Sequence, residues 1–352
     1  GFSADELVIV GQRPGREVDR PWSSFSNVEL HYLDPQPFNI TKGQKYSRWL
    51  TASKSIKQLK NMILEKGITH VLAIFPDEYF CYIAYRAAMQ TKVSFNIWFH
   101  NSYLENRTGI LKAVAQRLQP KFFAAADTVF VMSDGLNREM SRQYPEQKFV
   151  TLVHGFKAPP ASEVDLTINP AKVKFLYSGS LNDSCLDASL RMLRVLMSRS
   201  EFETHIFSGN PQAFKQHGIG GDNIIFRDFI PVDDFMAQLN QYDVMLLPHG
   251  IDGLRSEFEY KTIFPTRTIP LLSSGKPILA HSPEGSFLTD FLRENDCAVI
   301  VTEKDEVALE QAIERLLNDV GQRQYLVSKA LMIAVQFELS IVAKKLKEYL
   351  FI

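Results

Sequence analysis

Residues 223–249 read NIIFRDFIPVDDFMAQLNQYDVMLLPH, and this stretch decides the fold. A short apolar run at 224–226 passes through a proline-bearing bend into a helical stretch at 232–241. A second apolar run follows at 244–247. Both runs are continuous rather than alternating, the pattern of strands covered on both faces. Strand, helix and strand in that order make the crossover unit of a parallel sheet.

The same rhythm continues on either side. Upstream, 173–178 and 204–208 read as strands and 186–199 as a helix. Downstream come a helix at 266–274, a strand at 277–280, a helix at 286–295, a strand at 297–301, and closing helices at 306–318 and 321–350. The first half repeats the pattern, with strands at 7–11, 28–33, 69–75, 93–99, 128–132 and 148–153. Its helices are expected at 47–66, 79–91, 109–126 and 135–144, with Gly67 as a left-handed cap after the first of them. The rhythm stops only at 154–170 (HGFKAPPASEVDLTINP), where three prolines and no period mark a linker. No fixed-period repeat is present. The expected organisation is an α/β chain of two doubly wound, Rossmann-like domains facing each other across a cleft. They span 1–155 and 156–335, and a helix at 336–352 packs back on the first domain. In such sheets ligands bind beyond the carboxyl ends of the strands.

Composition narrows the function. The chain has 352 residues, 45% of them apolar, and 39 basic against 40 acidic side chains, so no global basic field holds nucleic acid. Cys81, Cys185 and Cys297 are far apart and sit in apolar stretches. They read as buried thiols in a reducing compartment rather than as a metal or disulfide framework. No apolar run is long enough to span a bilayer, and residues 1–6 (GFSADE) do not read as a signal peptide. The expected location is cytoplasmic, with attachment to the inner face of a membrane left open.

Four segments of the second half, in order, resemble glycosyltransferase family 4, a family of GT-B fold. They are VKFLYSGSLND (173–183), HIFSGN (205–210), the opening stretch 223–249, and FPTRTIPLLSSGKPILA (264–280). In the first half SFNIWFH (94–100), FFAAADTVFVMSDGLNREM (122–140) and FVTLVHGF (149–156) are similar to the same family. The resemblance implies a transferase moving a sugar from a nucleotide-diphosphate sugar to a glycan, glycolipid or glycoprotein acceptor. The first domain would then hold the acceptor and the second the donor.

Such a transfer needs the diphosphate bound, the leaving charge stabilised, the sugar oriented and the acceptor hydroxyl aligned or deprotonated. No D-x-D motif is present to hold a diphosphate through a metal, so no metal or other cofactor is expected. Pro265, Thr266 and Arg267 read as a helix start, with Thr266 offering a hydroxyl and a free backbone amide and Arg267 a guanidinium fork. The resemblance places Thr266 and Arg267 near the donor. Gly179, with Ser180 after it, ends a strand where backbone can approach a phosphate closely. Gly11 ends the first strand likewise, with Arg13 and Arg16 in the loop beyond it as acceptor-side candidates. His100 closes an apolar strand and, by resemblance, matches a histidine near the reaction centre. Glu105 is a lesser candidate.

Two family features are missing. Pro270 stands where the second glutamate of the family's E-x7-E motif would grip the ribose, and no basic residue occurs at 180–185. Arg255, Glu257, Glu259 and Lys261, in the charged stretch 249–264, are the candidates to rebuild these contacts from a loop, Arg255 and Glu259 foremost. The broken motif keeps two alternatives open: a non-catalytic GT-B module binding a sugar or a partner, and a GT-B sugar-nucleotide epimerase. A nicotinamide dehydrogenase is disfavoured, because no G-x-G-x-x-G follows a strand. Finally, Lys112, Arg117 and Lys121 recur among apolar residues along one helix, a pattern suited to contact with an anionic membrane.

Overall fold

The computed structural model describes residues 2–11, 27–33, 47–157, 164–228, 230–252 and 257–351. The chain divides into two compact units. The first comprises Gly1–Met132, Met140–Leu152 and Ala343–Ile352, and the second Ser133–Glu139 and Val153–Val342.

The first unit contains β1 (Val8–Gly11), β2 (Glu29–Tyr32), α1 (Ala52–Glu65), β3 (His70–Phe75), α2 (Glu78–Thr91), β4 (Ser94–Phe99), α3 (Gly109–Ala125) and β5 (Thr128–Val131). After α4 (Asp134–Gln143) comes β6 (Phe149–Thr151). β3, β4, β5 and β6 pair in chain order, all parallel, and β1 and β2 form a separate parallel pair. One face of that pair is buried on α1 and α2, where Leu33 packs with Ile56, Tyr79 and Ile83.

Local chemistry sets the helix ends. Asp77 caps α2 by accepting the amides of Tyr79 and Phe80, and its two carboxylate oxygens take a bidentate pair from Arg48 at 2.8 Å each. Gly67, at φ +63°, stops α1 in the left-handed cap that the sequence predicts. Residues 343–350 complete this unit: Lys345 donates to the Thr151 carbonyl, Lys347 pairs with Glu6, and the Tyr349 ring lies 6.3 Å from that of Phe130.

The second unit is built from β7 (Val173–Ser178), α5 (Leu186–Met197), β8 (Phe202–Phe207), α6 (Pro211–Gln216), β9 (Ile224–Arg227), α7 (Val232–Gln238) and β10 (Val244–Pro248). It continues with α8 (Glu257–Thr262), α9 (Thr268–Leu272), β11 (Ile278–His281), α10 (Phe287–Glu294), β12 (Val299–Val301), α11 (Glu306–Asn318) and α12 (Val320–Ala334). The helix α13 (Leu339–Leu350) begins here. All six strands are parallel, in the order β12-β11-β10-β7-β8-β9.

The continuous apolar runs resolve into two faces. Phe175, Tyr177, Val244 and Leu246 pack with α5 and α11, whereas Leu176, Met245 and Leu247 pack with α9 and α10. The central run of β10 is therefore apolar at successive positions because each face has its own core. The strand order reverses between β7 and β10, which makes their carboxyl ends the switch point where α/β sheets take ligands.

Several elements differ from the sequence expectation. The loop expected at 249–264 contains α8. The helix expected at 266–274 is α9, only five residues long and starting at Thr268. The helix α6 was not anticipated; Asn210 caps it and Pro211 opens it. The single closing helix at 321–350 is interrupted: Phe156 bonds to the Phe337 carbonyl and accepts the Leu339 amide, so backbone groups that would continue a helix are diverted into a short parallel bridge.

Candidate active site

The switch point of the second unit gathers an unusual set of polar groups. β7 ends at Ser178, and Gly179 follows at φ +114°, a conformation open to glycine and strained for other residues. Its amide is held by the Phe207 carbonyl at 2.9 Å. A Cβ at this position would lie 3.2 Å from the Arg267 guanidinium carbon, so the loop and the arginine are in contact. Thus two residues singled out separately in the sequence are brought together by the fold.

Arg267 sits in the turn before α9. Its Nη1 reaches the Tyr177 hydroxyl at 3.5 Å, its Nη2 reaches Cys185 Sγ at 3.7 Å, and its guanidinium lies 5.7 Å from the Tyr177 ring centre. No carboxylate pairs with it among the described residues. Burial works against its charge, but Tyr177 and Cys185 outweigh that and raise its pKa above the ordinary value. Burial likewise raises the Tyr177 phenol, against the opposing pull of Arg267. A half-buried cation facing a glycine loop without a counter-ion is poised for an external anion.

The expected helix start at Pro265, Thr266 and Arg267 is a turn ahead of α9. The amides of Thr268 and Ile269 bond to the carbonyls of Pro265 and Thr266, at 2.9 and 3.4 Å, so they are spent inside the turn. Thr266 is exposed beside it and Ser180 is exposed in the glycine loop. Glu259 is not on a loop but buried in α8, while its neighbours Glu257 and Lys261 pair on the exposed face of that helix at 2.7 Å. Arg255 lies outside the described residues, as do Arg13 and Arg16.

Beside Arg267, β10 ends in His249, buried and neutral: burial pushes its pKa down to about 4. Its Nε2 lies 3.4 Å from the Tyr260 carbonyl, and a second backbone hydrogen bond joins the ring to Ser184. The next residues are clamped by Asp187 on α5. Its carboxylate accepts the amides of Ile251 and Asp252 and a hydrogen bond from Arg191. Burial opposes the charge on Asp187, and the two amides with Arg191 prevail, holding the carboxyl below the ordinary range. Gly250 leaves room for this, since a Cβ there would meet the Ser184 carbonyl at 3.0 Å and Asp187 Oδ1 at 3.1 Å. Arg191 also donates to Nε2 of His281, whose Nδ1 lies 2.9 Å from the Val301 carbonyl.

Sequence reasoning missed Tyr177, Asp187, His249 and His281. The two histidines close apolar strands, the same signal that selected His100. In the first unit, His100 follows β4 with its ring 5.1 Å from that of Trp98, edge to face. Nearby Glu105 is held above the ordinary carboxylate range by burial. Gly11 ends β1 with open space where a Cβ would stand, so no close approach demands glycine there.

This architecture recurs in solved structures. Sucrose-phosphate synthase from Thermosynechococcus elongatus superposes with a TM-score of 0.71 over 92% of this chain and 82% of its own, at 13% identity. A glycosyltransferase from Rickettsia africae matches at 0.68, over 97% and 89% of the two chains, with 12% identity. The Anabaena protein HepE, solved with UDP and glucose, matches at 0.62 over 92% and 86%, with 13% identity. The chain has the GT-B fold. No protein-family model and no curated protein matches it by sequence. Among the described residues no helix is long and apolar enough to cross a membrane, and no group of three or more histidine, cysteine and acidic side chains is arranged to hold a metal.

Proposed function

We propose that the protein is a glycosyltransferase of the type resembled by family 4, transferring a sugar from a nucleotide-diphosphate sugar to a glycan, glycolipid or glycoprotein hydroxyl. One observation carries the reading: at the strand-order reversal, Arg267 lies against Gly179 with no carboxylate partner among the described residues. This is the arrangement a diphosphate needs, because the guanidinium meets the charge that develops on the leaving group. In the reaction the bond from the sugar's anomeric carbon to the diphosphate oxygen breaks and its electron pair goes to that oxygen. The acceptor oxygen bonds to the anomeric carbon and gives up its proton.

Arg267 would hold the diphosphate, aided by the Ser180 and Thr266 hydroxyls. Arg267 also fills the role of the basic residues absent from 180–185. His100 would hydrogen-bond the sugar or take the acceptor proton, and Glu259 would act through the backbone of α8. Gly11 with Arg13 and Arg16 would face the acceptor. The proposal includes independence from metal and peripheral contact of α3 with an anionic membrane. HepE with UDP and glucose supports a uridine nucleotide as the first donor to try.

A thermal-shift series with UDP, GDP, ADP, CMP and dTDP, each with and without EDTA, tests the reading. One nucleotide should raise the melting temperature, and EDTA should not abolish the rise. Turnover of the matching nucleotide sugar should then fall in His100→Ala. No shift with any nucleotide overturns the proposal and favours the non-catalytic module, which the missing E-x7-E glutamate already suits.

A further inference from the structure

The first unit carries a second concentration of unpaired positive charge. A cavity of about 390 Å³ opens between α2 and α3, lined by Trp49, Tyr82 and Tyr85 and by Arg86, Arg117 and Lys121. The helices meet there through the rings of Tyr85 and Phe122, whose centres are 5.7 Å apart. Val114 and Leu118 complete the wall. Among the described residues none of the three cations has a carboxylate partner.

We propose that this groove binds a phosphorylated sugar, free or as the head of a lipid. The pairing of residue types argues for it. Three aromatic side chains in the lining suit the C–H side of a sugar ring, while two guanidinium forks and an ammonium suit phosphate oxygens. Arg86 is already oriented, with Nη1 donating to the Tyr82 hydroxyl at 3.1 Å and the guanidinium 5.8 Å from that ring centre. Arg117 and Lys121 stand four residues apart on α3, so they repel across one helical turn, a cost of a few tenths of a kcal/mol in an isolated helix. An anion between them turns that repulsion into binding. The volume falls within the range of small-ligand sites, roughly 300–1,000 Å³.

The larger cavity of the second unit, about 740 Å³, lacks this character. Its arginine, Arg323, already donates to the carbonyls of Leu166, Leu316 and Leu317. The groove proposal does not rest on the donor site, because Gly179 and Arg267 lie in the other unit.

The full chain is tested by thermal shift and calorimetry with glucose 1-phosphate, glucose and inorganic phosphate. Flotation with phosphatidylcholine vesicles, with and without phosphatidylinositol or phosphatidylserine, forms the second arm. The expected result is saturable binding of glucose 1-phosphate, with glucose at least tenfold weaker, and loss of that binding in the double variant Arg117→Gln, Lys121→Gln. These side chains are exposed, so the variant should melt like the wild type without ligand and keep its response to UDP. Capture by phosphatidylinositol vesicles but not by phosphatidylserine vesicles of equal charge, lost in the same variant, assigns the phosphate to a lipid head and upholds the site; equal capture by both, without binding of glucose 1-phosphate, is general attraction to an anionic surface and overturns it. No binding in either arm, or undiminished binding by the variant, overturns it. A chain that binds glucose 1-phosphate but no nucleotide keeps the groove and loses only the donor reading.

Discussion

Replacing Arg267 by methionine should separate binding from stability. In the folded chain its polar contacts are long, 3.5 Å to the Tyr177 hydroxyl and 3.7 Å to Cys185 Sγ; these two neighbours offset the burial of the charge, and no carboxylate among the described residues adds to them. Desolvating an ion costs several kcal/mol, and a methionine of similar reach removes that cost. Because the contacts that offset that cost go with it, the variant should melt within a few degrees of the wild type; about 1 kcal/mol corresponds to roughly 2–4 °C in a unit of this size. Donor binding should move the opposite way. A hydrogen bond from a charged group contributes about 1.5–3 kcal/mol, so losing one should weaken nucleotide diphosphate binding roughly 10- to 150-fold. Calorimetric titration with UDP, beside a melting curve of each protein, measures both quantities. A variant that melts well below the wild type yet binds UDP normally would refute the reasoning and make Arg267 a structural strut.

Other perturbations probe the same site. Gly179→Ala forces a φ of +114° on a residue with a Cβ and crowds the guanidinium at 3.2 Å, so it should cost about 1–3 kcal/mol and also weaken nucleotide binding. Asp187→Asn keeps the shape but removes the charge that clamps the 251 and 252 amides. Stability should fall by about 1–3 kcal/mol, and accelerated proteolysis at 249–252 is the readout. His249 binds a proton near pH 6.5 when unfolded and only near 4 when folded, so its contribution is complete above 6.5 and is lost as pH falls toward 4. The loss is on the order of 3 kcal/mol at most. His249→Gln, which can still donate to the Tyr260 carbonyl, should flatten melting temperature against pH across that window.

The parallel sheets were legible because buried strands such as 244–247, apolar at every position, and 175–177, apolar or aromatic throughout, carry a signal that survives without tertiary context. The left-handed cap at Gly67 was legible for the same reason, since a single backbone torsion governs it. Other features depend on partners distant in sequence. α8 is short and charged, and Glu259 is buried by packing that no local pattern announces. The closing helix breaks because Phe156 takes up its backbone groups. At the site, Gly179 and Arg267 each carried a local signal, but their contact comes from the sheet order. Asp187 looked like an ordinary first-turn acid of α5 until the 249–252 loop folded onto it.

The first unit is not continuous along the chain: Ala343–Ile352 belongs to it, through Lys347 on Glu6 and Lys345 on the Thr151 carbonyl. On the ribosome this unit must stay incomplete while the whole second unit is being made, whereas the second lacks no piece from beyond Val342. A nascent chain halted before residue 343 should therefore display an unfinished first unit, open to chaperones and proteases, alongside a nearly complete second one.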